Sequence, residues 1–174
     1  LGDDAWAAAR AMAEALDACD LLLTTGGVSV GDRDILHQAL PLLGAEEVFW
    51  RVNLKPGSPA RFSLWRGKPI LSLSGNPFAA AATFELLARP LLAALSGEER
   101  WTLRRRTAVA EGTFPKSSPV RRFLRGVYRE GAVALTGKHD SGMLSSLVGC
   151  NCLVDLPAGS GPVEDGQRVQ LFLL

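Results

Sequence analysis

A chain of 174 residues with 47% apolar and 21% charged side chains can bury one core or two small ones, as ordinary globular proteins do. Lys and Arg number 19 against 18 Asp and Glu, a formal net charge of +1, so no overall field recruits nucleic acid or an acidic membrane and any anion specificity has to be local. Three cysteines make neither a CxxC pair nor an even disulfide framework, and two histidines are too few for a dedicated zinc site, which disfavours a disulfide-stapled secreted domain and fits a reducing cytoplasm.

Asp3 or Asp4 can cap a helix running to about Asp17, because Ala, Trp, Met and Leu recur there at helical spacing. A buried strand follows over Leu21 to Thr24, then a glycine-rich loop, a short helix from Arg33 to about Leu42, and a strand from Val48 to Leu54. After Lys55-Pro56-Gly57-Ser58-Pro59, the runs Ala60 to Trp65 and Pro69 to Leu73 flank Arg66-Gly67-Lys68 as a hairpin. Ser74-Gly75-Asn76-Pro77 opens a long Ala/Leu helix to about Leu95 that Pro90 should kink or divide. Strand and helix alternation predicts a three-layer α/β domain over residues 1–97 with a mostly parallel sheet. Beyond Ser96-Gly97-Glu98-Glu99, five short strand-like runs (Thr107 to Ala110, Arg122 to Tyr128, Ala132 to Thr136, Asn151 to Leu156, Gln167 to Leu173) predict a small all-β barrel over 101–174. No apolar run approaches the ~20 residues of a bilayer span. Beginning at Leu1 directly before a helix, the chain reads as a piece of a longer protein.

The stretch Thr24 to Asp34 leaves a strand through Gly26, Gly27, Val28, Ser29 and Gly31 and enters a helix, so bare backbone N–H groups and a helix N-terminus can face an anion. The same loop also reads as a tight connection needing positive φ. Gly26 to Asp34, Lys55 to Pro59 and Ser74 to Pro77 each fall where a strand ends, and such ends gather at one rim of an open α/β sheet. Backbone amides of Gly26, Gly27 and Gly75 would approach an anion, Ser29 and Asn76 would add hydrogen bonds, and Lys55 a point charge. Asp34 is repulsive in such a place unless it holds Mg²⁺ or caps a helix, and Asp3 has the same two readings. Arg100, Arg104, Arg105, Arg106, Arg121, Arg122, Arg125 and Arg129 could suggest a nucleic-acid surface, but strand alternation scatters them over solvated faces. His37 and His139 have no triad partner nearby in sequence, and Cys150 and Cys152 read as small hydrophobes on one strand face.

The series Thr25-Gly26-Gly27-Val28-Ser29-Val30-Gly31-Asp32-Arg33-Asp34, Lys55-Pro56-Gly57-x-Pro59, Gly67-Lys68-Pro69 and Gly75-Asn76-Pro77 resembles, in order and spacing, the molybdopterin molybdenumtransferase family, which includes the gephyrin C-terminal domain. Asp140-Ser141 to Leu156 and Gly166 to Leu171 also look like that family's small β-barrel. The resemblance implies insertion of molybdate into adenylylated molybdopterin with Mg²⁺ assisting release of AMP, in a full-length homodimer that binds neither nucleic acid nor membrane. By position it implies Asp3 and Asp34 as the Mg²⁺ carboxylates, Asp34 and Lys55 as catalytic, and Gly26, Gly27, Val28, Ser29 and Gly31 as the nucleotide phosphate loop. Pro56, Gly57, Ser58, Gly75, Asn76 and Pro77 complete the substrate-binding set, with Ser141 and one arginine of the Arg121–Arg122 pair, assigned to Arg121.

Three positions depart from the family pattern, which has a second lysine at Ser58, a proline at Ser74 and a serine at Ala79. Loss of one of two cations beside a buried dianion would cost about 1 to 3 kcal/mol, unless Arg61 substitutes. The alternative is therefore a catalytically impaired module or fragment that keeps the pterin-nucleotide pocket.

Overall fold

The computed structural model describes residues 4–28, 34–135 and 147–174. Contacts divide the chain into one unit of Leu1–Val52 with Gly57–Ala80 and a second of Asn53–Pro56 with Ala81–Leu174.

In the first unit, helix α1 spans Ala5–Ala18 and is started by Asp4, whose carboxylate accepts from the backbone N–H of Trp6 and Ala7. Its buried stripe of Ala8, Ala9, Met12 and Leu16 follows the helical period, and Lys68 Nζ donates to the carbonyl of Leu16 in the last turn. Strand β1 covers Leu22–Thr25 and helix α2 Leu36–Leu43. Gly44, at φ 76°, ends α2 with two backbone bonds, Gly44 N to Pro41 O and Ala45 N to Leu40 O, a Schellman stop that glycine accommodates without strain. Strand β2, Glu46–Trp50, stops where Arg51 takes φ 73°, and the next pairing segment, β3, is only Leu54–Lys55. The single strand expected from Val48 to Leu54 is thus two pieces. The break is fixed by Arg51 N bonding to Ala60 O and Val52 N to Ser58 O.

Strands β4 (Arg61–Trp65) and β5 (Lys68–Leu73) form the expected hairpin, with Arg66 and Gly67 both at positive φ as a two-residue turn of the primed type requires. The sheet order is β1-β5-β4-β2. Only β1 and β5 run parallel, and β4–β5 and β2–β4 are antiparallel, so the expected mostly parallel sheet is mixed. A two-residue turn can only join antiparallel neighbours, and of these four strands only β1 and β5 are followed by a helix. Trp65 and Ile70 pack under α1 and α2, while Leu71 and Leu73 are buried on the alternate face of β5, so both sheet faces are covered.

Helix α3 (Pro77–Thr83), a π turn (Phe84–Ala88) and helix α4 (Arg89–Ser96) form one helical run. Pro90 does not divide it. The ring lacks an N–H, and the π turn just before it, with Arg89 N bonded to Phe84 O, absorbs the mismatch. At 20 residues and a mean hydropathy of 1.5, Pro77–Ser96 meets the length and composition of a bilayer span, contrary to the sequence expectation. A helix of a folded domain meets the same test, and this one carries a Glu85–Arg89 ion pair of 2.7 Å near its middle.

The second unit is a closed barrel built from β6 (Arg104–Glu111), β7 (Arg121–Arg129), β8 (Ala132–Leu135), β9 (Cys152–Leu156) and β10 (Arg168–Leu173). The ring runs β7-β8-β6-β10-β9 and returns to β7, which removes edges from those five strands, and β3 adds to β7 in parallel. The expected α/β unit followed by a small barrel is borne out. Ala108, Ala110, Leu124, Val133, Cys152, Val154 and Leu171 fill the interior. Cys150 precedes β9 and does not share a strand face with Cys152; its Sγ donates to the Cys152 carbonyl.

The barrel has no room at Gly126, where an added Cβ would lie 2.7 Å from Val133 Cγ2 and 3.0 Å from Cys152 Sγ. Gly126→Ala is expected to lower stability by about 1–3 kcal/mol in urea unfolding, whereas Gly161→Ala, which meets nothing within 4 Å, should stay within about 0.5 kcal/mol. Burial, then the neighbouring Cys150, pushes the Cys152 thiol up from 9.0 to about 12. The folded thiol keeps its proton where the unfolded one loses it, so stability should fall as pH rises from about 9 towards 12. Urea midpoints measured across that window should fall less steeply in Cys152→Ala than in the parent chain.

Candidate functional site

Two of the three sequence-picked loops meet within the first unit. The N–H of Gly26, at φ 81°, donates to the carbonyl of Leu73 at 3.0 Å, and a Cβ built on Gly75 would lie 3.2 Å from Gly26 Cα. The close approach is backbone against backbone: it leaves little room for a side chain at Gly75, while Gly26 is favoured by its positive φ. Gly27, at φ 66°, packs against Ile35 and Leu36 at the start of α2, and Trp50 Nε1 donates to the Val28 carbonyl at 3.1 Å. Strand β2 therefore braces the glycine loop. Nothing in the spacing of residues 22 positions apart foretells that bond.

Asn76 caps α3: its Oδ1 accepts from Ala79 N at 3.0 Å and its carbonyl from Ala80 N at 2.8 Å, with Pro77 at the first helical position. Ser74 Oγ accepts from Asn76 N at 3.3 Å, holding by a hydrogen bond the turn where the family pattern has a proline. Ala79 is 3% exposed in the first turn of α3. The carbonyl of Asp34 accepts from His37 N at 3.1 Å as α2 begins, and the carboxylate that caps α1 is that of Asp4. Asp3, Ser29, Gly31, His139 and Ser141 lie outside the described residues.

Gly57 is buried at φ 97° and its carbonyl accepts from Ala60 N, while exposed Ser58 accepts from Val52 N through its carbonyl. Arg61 does not stand in for the lysine missing at Ser58. It is 4% exposed, NH2 donates to His37 Nδ1 at 2.6 Å, NH1 donates to the Leu36 carbonyl at 3.4 Å, and Nε lies 3.2 Å from Glu47. Its guanidinium also sits 5.0 Å from the Trp50 ring centre, and His37 meets that ring edge-on at 4.4 Å. His37 is thus a structural acceptor inside a cation–aromatic cluster.

In the second unit, Lys55 is exposed and pairs in register with Arg122, as Leu54 does with Arg121. Register partners project from the same face, so Lys55 and Arg122 share one side of the β3–β7 ribbon and Leu54 and Arg121 the other. Arg121 is committed: Nε and NH2 donate to both oxygens of Asp155 at 2.8 and 2.6 Å, a fork that holds its guanidinium charged even more firmly than usual, against the opposing effect of burial. Arg122 lies 5.5 Å over Phe114, and its buried Nε has no hydrogen-bond partner. Arg125 is fully buried and therefore not on a solvated face. Among the described residues no three His, Cys, Asp or Glu side chains cluster closely enough to hold a metal ion. Mg²⁺, however, is commonly held by one or two carboxylates plus phosphate oxygens, and the half-buried Asp34 fits that donor set.

Residues 1–94 match the family described as "Probable molybdopterin binding domain", and residues 107–174 match the "MoeA C-terminal region (domain IV)". The chain belongs to the molybdopterin-binding domain family. It is 35% identical to a molybdopterin molybdenumtransferase of Bacillus subtilis over 94% of this chain and 39% of that protein. A Staphylococcus aureus protein of the same name is 33% identical over 98% of this chain and 42% of its own length. The chain thus spans about two fifths of the curated relatives it matches. The crystal structure of the molybdopterin biosynthesis moeA protein of Pyrococcus horikoshii covers all of this chain and 40% of its own, with a TM-score of 0.77 and 25% identity. The resemblance read from the glycine loop, Lys55-Pro56-Gly57 and Gly75-Asn76-Pro77 is borne out.

Removing the Asn76 side-chain cap should separate fold from ligand effects in this loop. Asn76→Ala is expected to cost about 1 kcal/mol in urea unfolding and Asn76→Asp, which keeps the accepting oxygen, only a few tenths.

Proposed function

We propose that this protein serves molybdenum cofactor biosynthesis, inserting molybdate into adenylylated molybdopterin with release of AMP. The observation that carries this reading is the register of Lys55 with Arg122: two cations side by side, one of them with an unpartnered buried Nε, suit a tetrahedral dianion. Arg122 is thus the arginine we assign to the oxyanion, in place of Arg121, whose fork already holds Asp155. The phosphates of the pterin nucleotide are assigned to the backbone amides of Gly26, Gly27, Val28 and Gly75, with Ser29 and Gly31 in the same loop. Asp34, together with Asp3, would hold Mg²⁺, which when bound offsets the charge that develops on the departing phosphate. The glycine backbones bind and orient the nucleotide, and Lys55 and Arg122 bind the oxyanion. Cytoplasmic location, a homodimer at natural length and indifference to nucleic acid and membranes belong to the same proposal, the last supported by a net charge of +1.

A second reading, a pterin-nucleotide binding module without turnover, is favoured by one observation. Arg61 does not replace the lysine missing at Ser58, because it is spent on His37, Leu36 and Glu47.

Titration with adenylylated molybdopterin, with and without molybdate and Mg²⁺, separates the two, assayed in the protein at its natural length. Turnover predicts AMP release that requires molybdate; binding without release supports the module. Lys55→Ala and Arg122→Ala should each weaken molybdate binding about 10- to 100-fold and Arg121→Ala much less, and Asp34→Asn should slow AMP release more than it weakens pterin-nucleotide binding.

A further inference from the structure

The other side of the β3–β7 ribbon carries a different feature. A cleft of about 390 Å³ lies between the helical run and the outer face of the barrel, within the range of small-molecule sites. Leu86, Leu87 and Pro90 form one wall, and Phe123 and Phe172 the other. The two leucines belong to the π turn, a departure from α geometry that recurs at binding sites. Above the aromatic wall stand two guanidiniums. Arg105, register partner of Phe172, lies 5.1 Å from that ring centre, and Arg121 lies 5.2 Å from Phe123, the rings being 6.2 Å apart.

The two cations are not equivalent. Arg121 is neutralised by the bidentate Asp155, whereas Arg105 has no acidic partner among the described residues. The cleft therefore combines an apolar hollow with one uncompensated guanidinium at its mouth. A single planar fork matches a carboxylate in shape and charge, while a dianion would be left half neutralised. The apolar walls suit a ring and disfavour a sugar.

We propose that this cleft binds a small aromatic carboxylate, its ring against Leu86, Leu87 and Phe172 and its carboxylate on Arg105. The site is separate from the proposed oxyanion site, since Leu54 lines the cleft and Lys55 takes the opposite face.

The test uses 2-naphthoate and its neutral counterpart 2-naphthamide, titrated into the chain while leucine methyl resonances are followed by NMR. Naphthoate should shift Leu86 and Leu87, and bind about tenfold or more tighter than naphthamide. Arg105→Gln should remove that preference without changing naphthamide affinity, Arg105→Lys should retain part of it, and Leu87→Trp should block both probes. Thermal melting checks that each variant is folded, and Arg105, being exposed, can be replaced without opening the core. Equal affinity for the two probes, an unchanged preference in Arg105→Gln, or leucine shifts that follow protein concentration alone, as self-association over this face would give, would overturn the proposal.

Discussion

Two residues of parallel pairing, Leu54–Lys55 against Arg121–Arg122, decide how the chain's free and committed cations are distributed. Segment Asn53–Pro56 belongs with the barrel although the residues on either side of it belong to the first unit. With the register as it stands, Lys55 shares a face with Arg122 and Phe114, and Leu54 shares one with Arg121 and the apolar cleft. A slip of one residue would exchange those faces, placing Lys55 beside an arginine already neutralised by Asp155. The assignment of an oxyanion site, and its separation from the cleft, both follow from this short ladder.

Charge is otherwise economically distributed through local commitments. Arg61 is stitched to α2 and β2, Arg89 to Glu85 and the Trp101 carbonyl, and Arg121 to Asp155. Such partnerships fix side chains in place and withdraw them from ligand binding, because a guanidinium already hydrogen-bonded to a carboxylate or carbonyl has to give up those bonds to take another anion. Arg122, whose buried Nε has no hydrogen-bond partner, and Arg105, which has no acidic partner among the described residues, stand instead beside Lys55 and at the mouth of the cleft.

The sequence made the architecture legible where local chemistry dominates. The Asp4 cap, the Arg66-Gly67 turn, the Asn76-Pro77 helix start and the short apolar runs of the barrel are each encoded within a few residues. What it hid depends on distant partners. The break at Arg51 is fixed by bonds to Ala60 and Ser58, and the antiparallel pairing of β2 with β4 follows the excursion between them. In the site, the meeting of Gly26 with Gly75 was foreseeable from strand ends, but the choice between Arg121 and Arg122 was not. It turns on Asp155, 34 residues away from Arg121, and no local pattern marks that carboxylate as its partner. Arg61 misled for the same reason, being near Ser58 in sequence but bound to groups on α2 and β2.

We propose that the oxyanion lies on the Lys55–Arg122 face of the β3–β7 ribbon. The most direct test is an anomalous-scattering map from crystals of the protein soaked in tungstate, a heavier congener of molybdate. A tungsten peak is expected within hydrogen-bonding reach of Lys55 Nζ and the Arg122 guanidinium. A peak on the opposite face, beside Arg121 or Arg105, with none at Lys55, would contradict it.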